Sequence, residues 1–132
     1  MTSRIAVLAV DARDPARVAD FWCQVLGWVV HDRDSDGVVT IAPVGARPGA
    51  DDMAIDVVPV PEPKTSKNRL HLDLRADGVS RDEELNRLLA LGAQRADVGQ
   101  APDVSWVVLA DPEGNEFCLL QRTVEEVRDT SG

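Results

Sequence analysis

The sequence predicts an α+β fold with two βαβββ modules in one chain, in which mixed sheets curl into a cup with the helices on the outside. The first observation is the order of segments, which is strand, helix and three strands, followed by the same order again. The second is spacing, because the glycines that end the two helices, Gly27 and Gly92, are 65 residues apart in a chain of 132. The third is the proline-rich segment Pro59–Ser66, which separates the two halves.

Length favours a single domain that holds both modules. A chain of 132 residues is long enough to bury roughly two thirds of its unfolded surface in one core. We therefore predict one domain over 1–132, with module one at about 4–60, a linker at 61–67 and module two at about 68–122.

Module one is predicted to begin with a buried strand and an amphipathic helix. Ile5–Val10 is a continuous apolar run rich in β-branched residues, which is typical of a buried strand. Asp14 is an N-cap and Pro15 stands at the first helical position. Apolar residues with helical spacing continue until Gly27, where the helix should end: Val18, Phe21, Trp22, Val25 and Leu26.

Three further strands complete module one. Trp28–His31 and Val38–Ala42 contain strong β formers and flank a turn cluster at 32–37, which predicts a hairpin. Met53–Val60 is the last strand of the module, and the prolines that follow end its pairing.

Module two is predicted to open on Lys67–Arg75, in which apolar and polar residues alternate. The leucines at positions 70, 72 and 74 should pack against helices, while the polar residues between them face the interior of the cup. Ser80 and Glu83 form a capping box for a second helix that ends at Gly92.

The remaining predicted strands are Ala93–Val98, Val104–Ala110 and Glu116–Gln121. Asp111–Asn115 is a turn before the last of them, with proline at its second position and glycine at its fourth. The charged tail after Arg122 is expected to fray.

Composition excludes several function classes. A net charge of −9 makes nucleic acid an unfavourable partner, and the acidic surplus serves solubility or favours a cationic small molecule. The sequence has no apolar run near 20 residues and no signal-peptide pattern, so we expect no membrane association and a cytoplasmic location. Cys23 and Cys118 are expected to be free thiols. Phosphate-loop, Cys-x-x-Cys and nucleophile-elbow motifs are absent from the sequence.

The polar face of Lys67–Arg75 is the candidate site. His71 and Asp73 project from it together, and His71 could exchange a proton with Asp73, Asp56 or Glu116. The alternative for His71 is a solvent-facing position on a plain edge strand.

Tryptophan is the main aromatic residue of the chain. Trp22 lies on the helix stripe and is expected in the core, whereas Trp28 and Trp106 are candidates to stack on a ligand. Core packing is the alternative for Trp106.

Three segments carry a resemblance to a known family: DPARVADFWCQVLGW at 14–28, VPEPKTSKNRLHLDL at 60–74 and LADPEGNEFCLLQ at 109–121. With them the chain resembles the vicinal oxygen chelate superfamily, which contains glyoxalase I, bleomycin-resistance proteins and extradiol dioxygenases, and within it the small glyoxalase-like proteins common in actinobacteria. The resemblance covers nearly the whole chain.

The resemblance also implies positions for a metal. In metal-dependent members, strands of both units supply ligands inside the cup, and the matching positions here are Val7, Asp56, His71 and Cys118. Valine is no ligand, so Asp56, His71 and Cys118 are the metal candidates, with Glu116 as an alternative to the cysteine. The set looks incomplete, and we expect weak or absent binding of Ni, Zn, Fe or Mn. The other role for Cys118 is that of a small buried apolar residue.

Two function classes remain. The first is a protein that binds a small organic molecule, as drug-resistance members of the superfamily do, through His71, Asp73, Trp28, Trp106 and Glu116. The second is an enzyme, which would be a lyase, isomerase or dioxygenase that depends on a metal or uses His71 as acid and base.

We also expect a homodimer. Ile5–Val10 and Glu116–Gln121 are predicted to leave sheet edges unpaired, and Phe21 and Trp22 should give the first helix spare apolar area.

Overall fold

The protein is described by a computed structural model that covers residues 1–97, 99 and 104–130. Its contacts divide the chain into two compact units, Met1–Pro63 and Lys64–Gly132. Over the described residues, each unit has one four-stranded mixed sheet, and there are three helices in all. The predicted α+β class with two βαβββ modules is therefore confirmed. The predicted cup of curled sheets depends on the arrangement of the two units, so it stays a prediction.

The first unit is a βαβββ module whose strand order is β1-β4-β3-β2. β1 and β4 are parallel, and the other neighbours are antiparallel. Its elements are β1 Val7–Ala12, α1 Pro15–Leu26, β2 Val29–Arg33, β3 Val39–Ala42 and β4 Ala54–Pro59. The first strand begins two residues later than predicted, whereas the hairpin of β2 and β3 is confirmed.

Helix α1 begins and ends where the sequence predicts. The Asp14 side chain accepts a hydrogen bond from the backbone N–H of Arg17 at 3.3 Å, and Gly27 ends the helix with a φ of 69°. The helix contacts all four strands of its sheet. Phe21 and Trp22 are only 2% and 3% exposed, with their rings edge to face at 5.2 Å. Trp22 is thus a core residue, and the expected spare apolar area on this helix is wrong.

The second unit repeats the topology of the first, with strand order β5-β8-β7-β6. Strands β5 and β8 are parallel, and the other neighbours are antiparallel. Its elements are β5 Leu72–Leu74, α2 Arg81–Leu91, β6 Gln94–Arg95, β7 Val107–Ala110, β8 Glu116–Leu119 and α3 Val124–Thr130. Because β8 lies between two partners, the prediction that Glu116–Gln121 leaves a free sheet edge is wrong.

Three predicted strands of this unit are longer than the observed ones. Lys67–Arg75 is reduced to β5, and Leu70 is 83% exposed instead of packed. The reason is that the backbone before β5 bonds elsewhere, as the N–H of Asn68 donates to the Glu116 side chain. Val104–Ala110 begins only at Val107, and Ala93–Val98 is reduced to β6, with Val98 outside the described residues.

The second helix is capped as predicted. Ser80 Oγ accepts a hydrogen bond from the backbone N–H of Glu83 at 3.1 Å, and Gly92 ends α2 with a φ of 117°. In the described part of the chain, none of the helices is long and apolar enough to cross a membrane.

The chain after Arg122 forms helix α3, so the expectation that it frays is wrong over 124–130. Thr123 Oγ1 accepts from the N–H of Glu126 at 3.2 Å, and the N–H of Thr123 donates to Glu126 Oε1 at 3.1 Å. This is a reciprocal capping box. The N–H of Val124 also donates to the carbonyl of Ala76 at 2.9 Å, which attaches the start of the helix to the unit.

Candidate functional site

The sheet of the second unit has one apolar face and one mixed face. Leu109, Phe117 and Leu119 occupy the apolar face and are at most 1% exposed. Successive residues of a strand point to opposite faces, so Glu116 and Cys118 lie on the mixed face. Asp73 of β5 and Val108 of β7 flank Cys118 on either side.

A cavity of about 360 Å³ lies on this mixed face. It is lined by four predicted ligand-binding residues and by the predicted metal candidate Cys118, together with a lysine and apolar side chains. Among the described residues, the lining is Lys67, His71, Asp73, Gly99, Trp106, Val108, Glu116, Cys118 and Leu120. This volume is within the range of small-molecule pockets, which starts at about 300 Å³.

His71 and Asp73 form a pair at the edge of the cavity. His71 Nδ1 lies 3.1 Å from Asp73 Oδ1, and the two side chains are 39% and 46% exposed. The two residues share a face because they are two positions apart, as the sequence pattern predicts. A carboxylate at this distance orients the imidazole ring.

Cys118 is buried beneath that pair, directly opposite Asp73 in the sheet. Burial raises the pKa of the Cys118 thiol, and the negative charge of Asp73 and a hydrogen bond to it raise the pKa further. The thiol is therefore protonated near neutral pH and is a weak nucleophile in this state. Cys118 is thus a small buried residue, as one of the two alternatives expected, and it also lines the cavity.

Glu116 is held by groups from the segment that precedes β5. Lys64 Nζ donates to Glu116 Oε1 at 2.6 Å, and the backbone N–H of Asn68 donates to the same oxygen at 3.2 Å. Burial alone would raise the pKa of Glu116, but these hydrogen bonds outweigh it and hold the pKa below its ordinary value of 4.5. Asn68 Nδ2 also donates to Asn115 Oδ1 at 3.2 Å. Glu116 thus fixes the chain at 64–68 beside the cavity.

Trp106 lies just before β7 and lines the cavity while remaining 40% exposed. Core packing, the alternative considered from the sequence, does not apply to it. Because β7 begins at Val107, Trp106 lies outside the paired part of the strand.

Four residues that line the cavity were not predicted from the sequence: Lys67, Gly99, Val108 and Leu120. Strand parity was a signal for three of them, and Val108 and Leu120 have the same parity as Trp106 and Cys118 on their respective predicted strands. Lys67 is the first residue of the predicted strand Lys67–Arg75 and has the same parity as His71 and Asp73, although the structure places it on the loop before β5.

Trp28 and Asp56 belong to the first unit. Trp28 is partly buried after the helix-ending glycine, and its backbone N–H donates to the carbonyl of Cys23 at 3.0 Å. Thr40 Oγ1 donates to Asp56 Oδ1 at 2.6 Å across β3 and β4. A charge-assisted hydrogen bond of this length gives Asp56 a structural role within its own sheet.

The internal repeat relates the two sheets position by position. Asp56 of β4 lies opposite Ala9 of β1, just as Cys118 of β8 lies opposite Asp73 of β5. The second unit therefore carries Asp73 where the first carries Ala9, and it carries Cys118 where the first carries Asp56.

Comparison with known proteins identifies the fold. A family model described as the glyoxalase-like domain matches residues 7–120. TnmS3, an antibiotic binding protein from Streptomyces sp. CB03234, is 23% identical with a TM-score of 0.61, over 92% of this chain and 98% of that chain. The fosfomycin resistance protein FosX from Listeria monocytogenes, solved with Mn(II) and sulfate, is 16% identical with a TM-score of 0.67, over the full length of both chains.

A third similar structure is a glyoxalase/bleomycin resistance protein/dioxygenase family enzyme from Burkholderia phytofirmans PsJN. It is 19% identical with a TM-score of 0.61, over 86% of this chain and 94% of that chain. No curated protein matches the chain. At these identities the similar structures establish a common fold.

Proposed function

Because the chain belongs to the glyoxalase-like domain family, we propose that it binds a small organic molecule in the cavity of its second unit. The observation that carries this proposal is the composition of the cavity. Trp106, Val108 and Leu120 provide apolar surface, while His71 and Asp73 provide a hydrogen-bonding pair. Small-molecule sites combine these features, with apolar walls for affinity and few polar groups for orientation.

The lining favours a planar ligand with a polar substituent. A half-exposed indole offers a face on which an aromatic ring can stack, which contributes about 0.5 to 1.5 kcal/mol beyond burial. Lys67 and the His71–Asp73 pair offer a cation, a donor and an acceptor to the polar substituent. Two relatives with this fold, an antibiotic binding protein and a fosfomycin resistance protein, support antibiotics as a ligand class and thus a role in drug resistance.

A thermal-shift screen followed by calorimetry tests the proposal. The panel contains antibiotics with planar aromatic rings, fosfomycin, and aliphatic carboxylic acids as negative controls. We expect at least one planar compound to raise the melting temperature, and Trp106→Ala to weaken its binding about tenfold. Leu70→Ala is the matched control, because Leu70 is exposed in the same unit and does not line the cavity. Equal binding to wild type and Trp106→Ala would place the ligand elsewhere.

An enzyme is the second candidate, and the His71–Asp73 pair is the observation that favours it. We propose for this case a lyase, isomerase or dioxygenase that depends on a metal or uses His71 as acid and base. Mass spectrometry of the bound compound after incubation distinguishes the two functions. A chemically changed compound with wild type, and an unchanged one with His71→Gln, would favour the enzyme.

We further propose that the protein is a cytoplasmic homodimer. Both of its cysteines are free, which suits a reducing compartment. β2 is an edge strand of the first sheet, and two of its apolar side chains, Val29 and Val30, are 42% and 36% exposed. An exposed apolar edge of this kind can pair with a second copy.

A further inference from the structure

Three side chains with different donor atoms converge on the mixed face of the second sheet. A ring nitrogen of His71, a carboxylate oxygen of Asp73 and the sulfur of Cys118 all lie within 4.8 Å of one another. The cysteine and the aspartate are opposite each other on neighbouring strands, and the histidine is two residues before the aspartate. All three also line the cavity.

We propose that His71, Asp73 and Cys118 bind a zinc-type divalent ion, which keeps a fourth position open to the cavity. Imidazole nitrogen, thiolate sulfur and carboxylate oxygen are the donors that zinc takes in proteins, and three protein ligands with one open position is the usual arrangement of its accessible sites. Binding replaces the thiol proton of Cys118 by the ion, and the proton leaves to solvent.

The geometry needs only a small adjustment to hold the ion. Bonds of about 2.0 to 2.3 Å place tetrahedral ligand atoms about 3.3 to 3.8 Å apart. The His71 and Asp73 atoms are already 3.1 Å apart, and the longest separation in the cluster is at most 4.8 Å. Both of these side chains are more than a third exposed, so their rotation can close the remaining gap of about 1 Å.

This set differs from the positions that the family resemblance implies. It keeps His71 and Cys118, takes Asp73 as its third donor and lies entirely within the second unit. The earlier expectation of weak binding counted the missing donor at Val7 and did not count Asp73. Glu116 stays outside the set because Lys64 and Asn68 already occupy its carboxylate.

The donor chemistry also sets the preference among metals. Manganese prefers oxygen ligands, while a sulfur donor favours zinc, cobalt and copper. FosX shares the fold and was solved with Mn(II). The thiol of Cys118 therefore predicts that this chain binds zinc more tightly than manganese.

Cobalt titration of the full-length protein tests the site, because cobalt replaces zinc and reports its ligands in the absorption spectrum. We expect one cobalt per chain, a near-ultraviolet thiolate-to-cobalt band, visible bands of tetrahedral intensity, and displacement of cobalt by zinc. Cys118→Ser should remove the thiolate band and weaken zinc binding about 100-fold or more, which exceeds the usual effect of residues outside the ligand shell. Cys23→Ser is the matched control and should keep both.

Asp73→Asn provides a second test, and it should weaken zinc binding. The Asp73 side chain is exposed, so the substitution leaves the core intact, and circular dichroism checks the fold of each variant. Absence of cobalt binding by wild type, a thiolate band that persists in Cys118→Ser, or tighter binding of manganese than of zinc would each overturn the proposal. These measurements use metal alone, so their failure leaves the proposed binding of an organic molecule open to its own test.

Discussion

Asp73 on β5 lies directly opposite Cys118 on β8, and its negative charge adds to burial in raising the pKa of the Cys118 thiol. The same carboxylate lies 3.1 Å from the ring of His71. One acid thus joins a titratable ring at the edge of the cavity to a buried thiol in its wall. The first unit has Ala9 at the corresponding place, so this arrangement belongs to one half of the repeat.

The first prediction concerns the reactivity of Cys118. Asp73 raises the pKa of the thiol through its charge and its hydrogen bond, so Asp73→Asn should lower that pKa and increase the thiolate fraction. In a Cys23→Ser background, we expect alkylation of Cys118 by iodoacetamide at pH 8 to be several-fold faster in Asp73→Asn than in wild type.

The pH profile of the alkylation rate is the decisive measurement. Its midpoint should move to lower pH in Asp73→Asn. Asp77→Asn, an exposed substitution in the same unit, should leave the midpoint unchanged. Identical midpoints in wild type and Asp73→Asn would contradict the assigned electrostatic role.

The second prediction concerns the ion pair between Lys64 and Glu116. The two side chains are 20% and 9% exposed, and Lys64→Gln should cost about 1 to 3 kcal/mol in the free energy of unfolding at pH 7. The folded-state pKa of Glu116 is lowered, so its stabilisation is present above the ordinary value of 4.5 and is lost as pH falls through the lowered pKa. Urea unfolding from pH 7 to pH 3 should therefore show the difference between wild type and Lys64→Gln shrinking below pH 4.5.

The exposed pair Arg47–Asp51 is a control for that experiment. Its side chains are 81% and 57% exposed, so Asp51→Asn should change the free energy of unfolding by less than about 1 kcal/mol. If Lys64→Gln changes the free energy of unfolding as little as this control does, the Lys64–Glu116 pair does not stabilise the fold.

The third prediction concerns assembly at the edge strand β2. Val30→Lys places a charge on an exposed apolar edge, which opposes pairing between strands of two chains. Sedimentation equilibrium should show a dimer for wild type and a monomer for Val30→Lys. Val44→Lys changes a more exposed valine outside the strands and should remain a dimer. A wild-type monomer at micromolar concentration would exclude the proposed dimer.

Sequence patterns predicted the elements of this fold well where the signals were local. Asp14, Pro15, Ser80 and the two helix-ending glycines each act on neighbouring residues, and the structure has all of them in the predicted roles. Of the predicted capping box, the structure shows the bond from the Glu83 N–H to Ser80 Oγ. The alternation of Lys67–Arg75 predicted the shared face of His71 and Asp73 for the same reason. Alternation did not predict how far the strand extends, because that depends on which backbone groups find partners on β8.

The features that sequence patterns did not predict depend on contacts between residues that are distant in sequence. Glu116 pairs with Lys64, which lies 52 positions earlier, and no local pattern predicts this ion pair. The order of strands likewise decided that β8 is central, and a single strand's composition carries no information on its neighbours. Phe21 and Trp22 have apolar area that only the folded sheet shows to be covered.

One miss had a local signal, and it gives the last prediction. Thr123-Val-Glu-Glu126 has the S/T-x-x-E spacing of a capping box, and the structure forms both of its reciprocal hydrogen bonds. Thr123 is 7% exposed, so Thr123→Ala removes a buried cap and should destabilise the protein by about 0.5 to 2 kcal/mol. Because α3 has no buried residues of its own, the loss of stability should appear first as faster amide exchange at 124–130, with the exchange of β8 changing less.

Thr65→Ala, at an exposed threonine outside the helices and strands, is the matched control. Hydrogen exchange monitored by mass spectrometry separates the outcomes, and unchanged exchange of α3 in Thr123→Ala would mean that the capping box does not stabilise this helix.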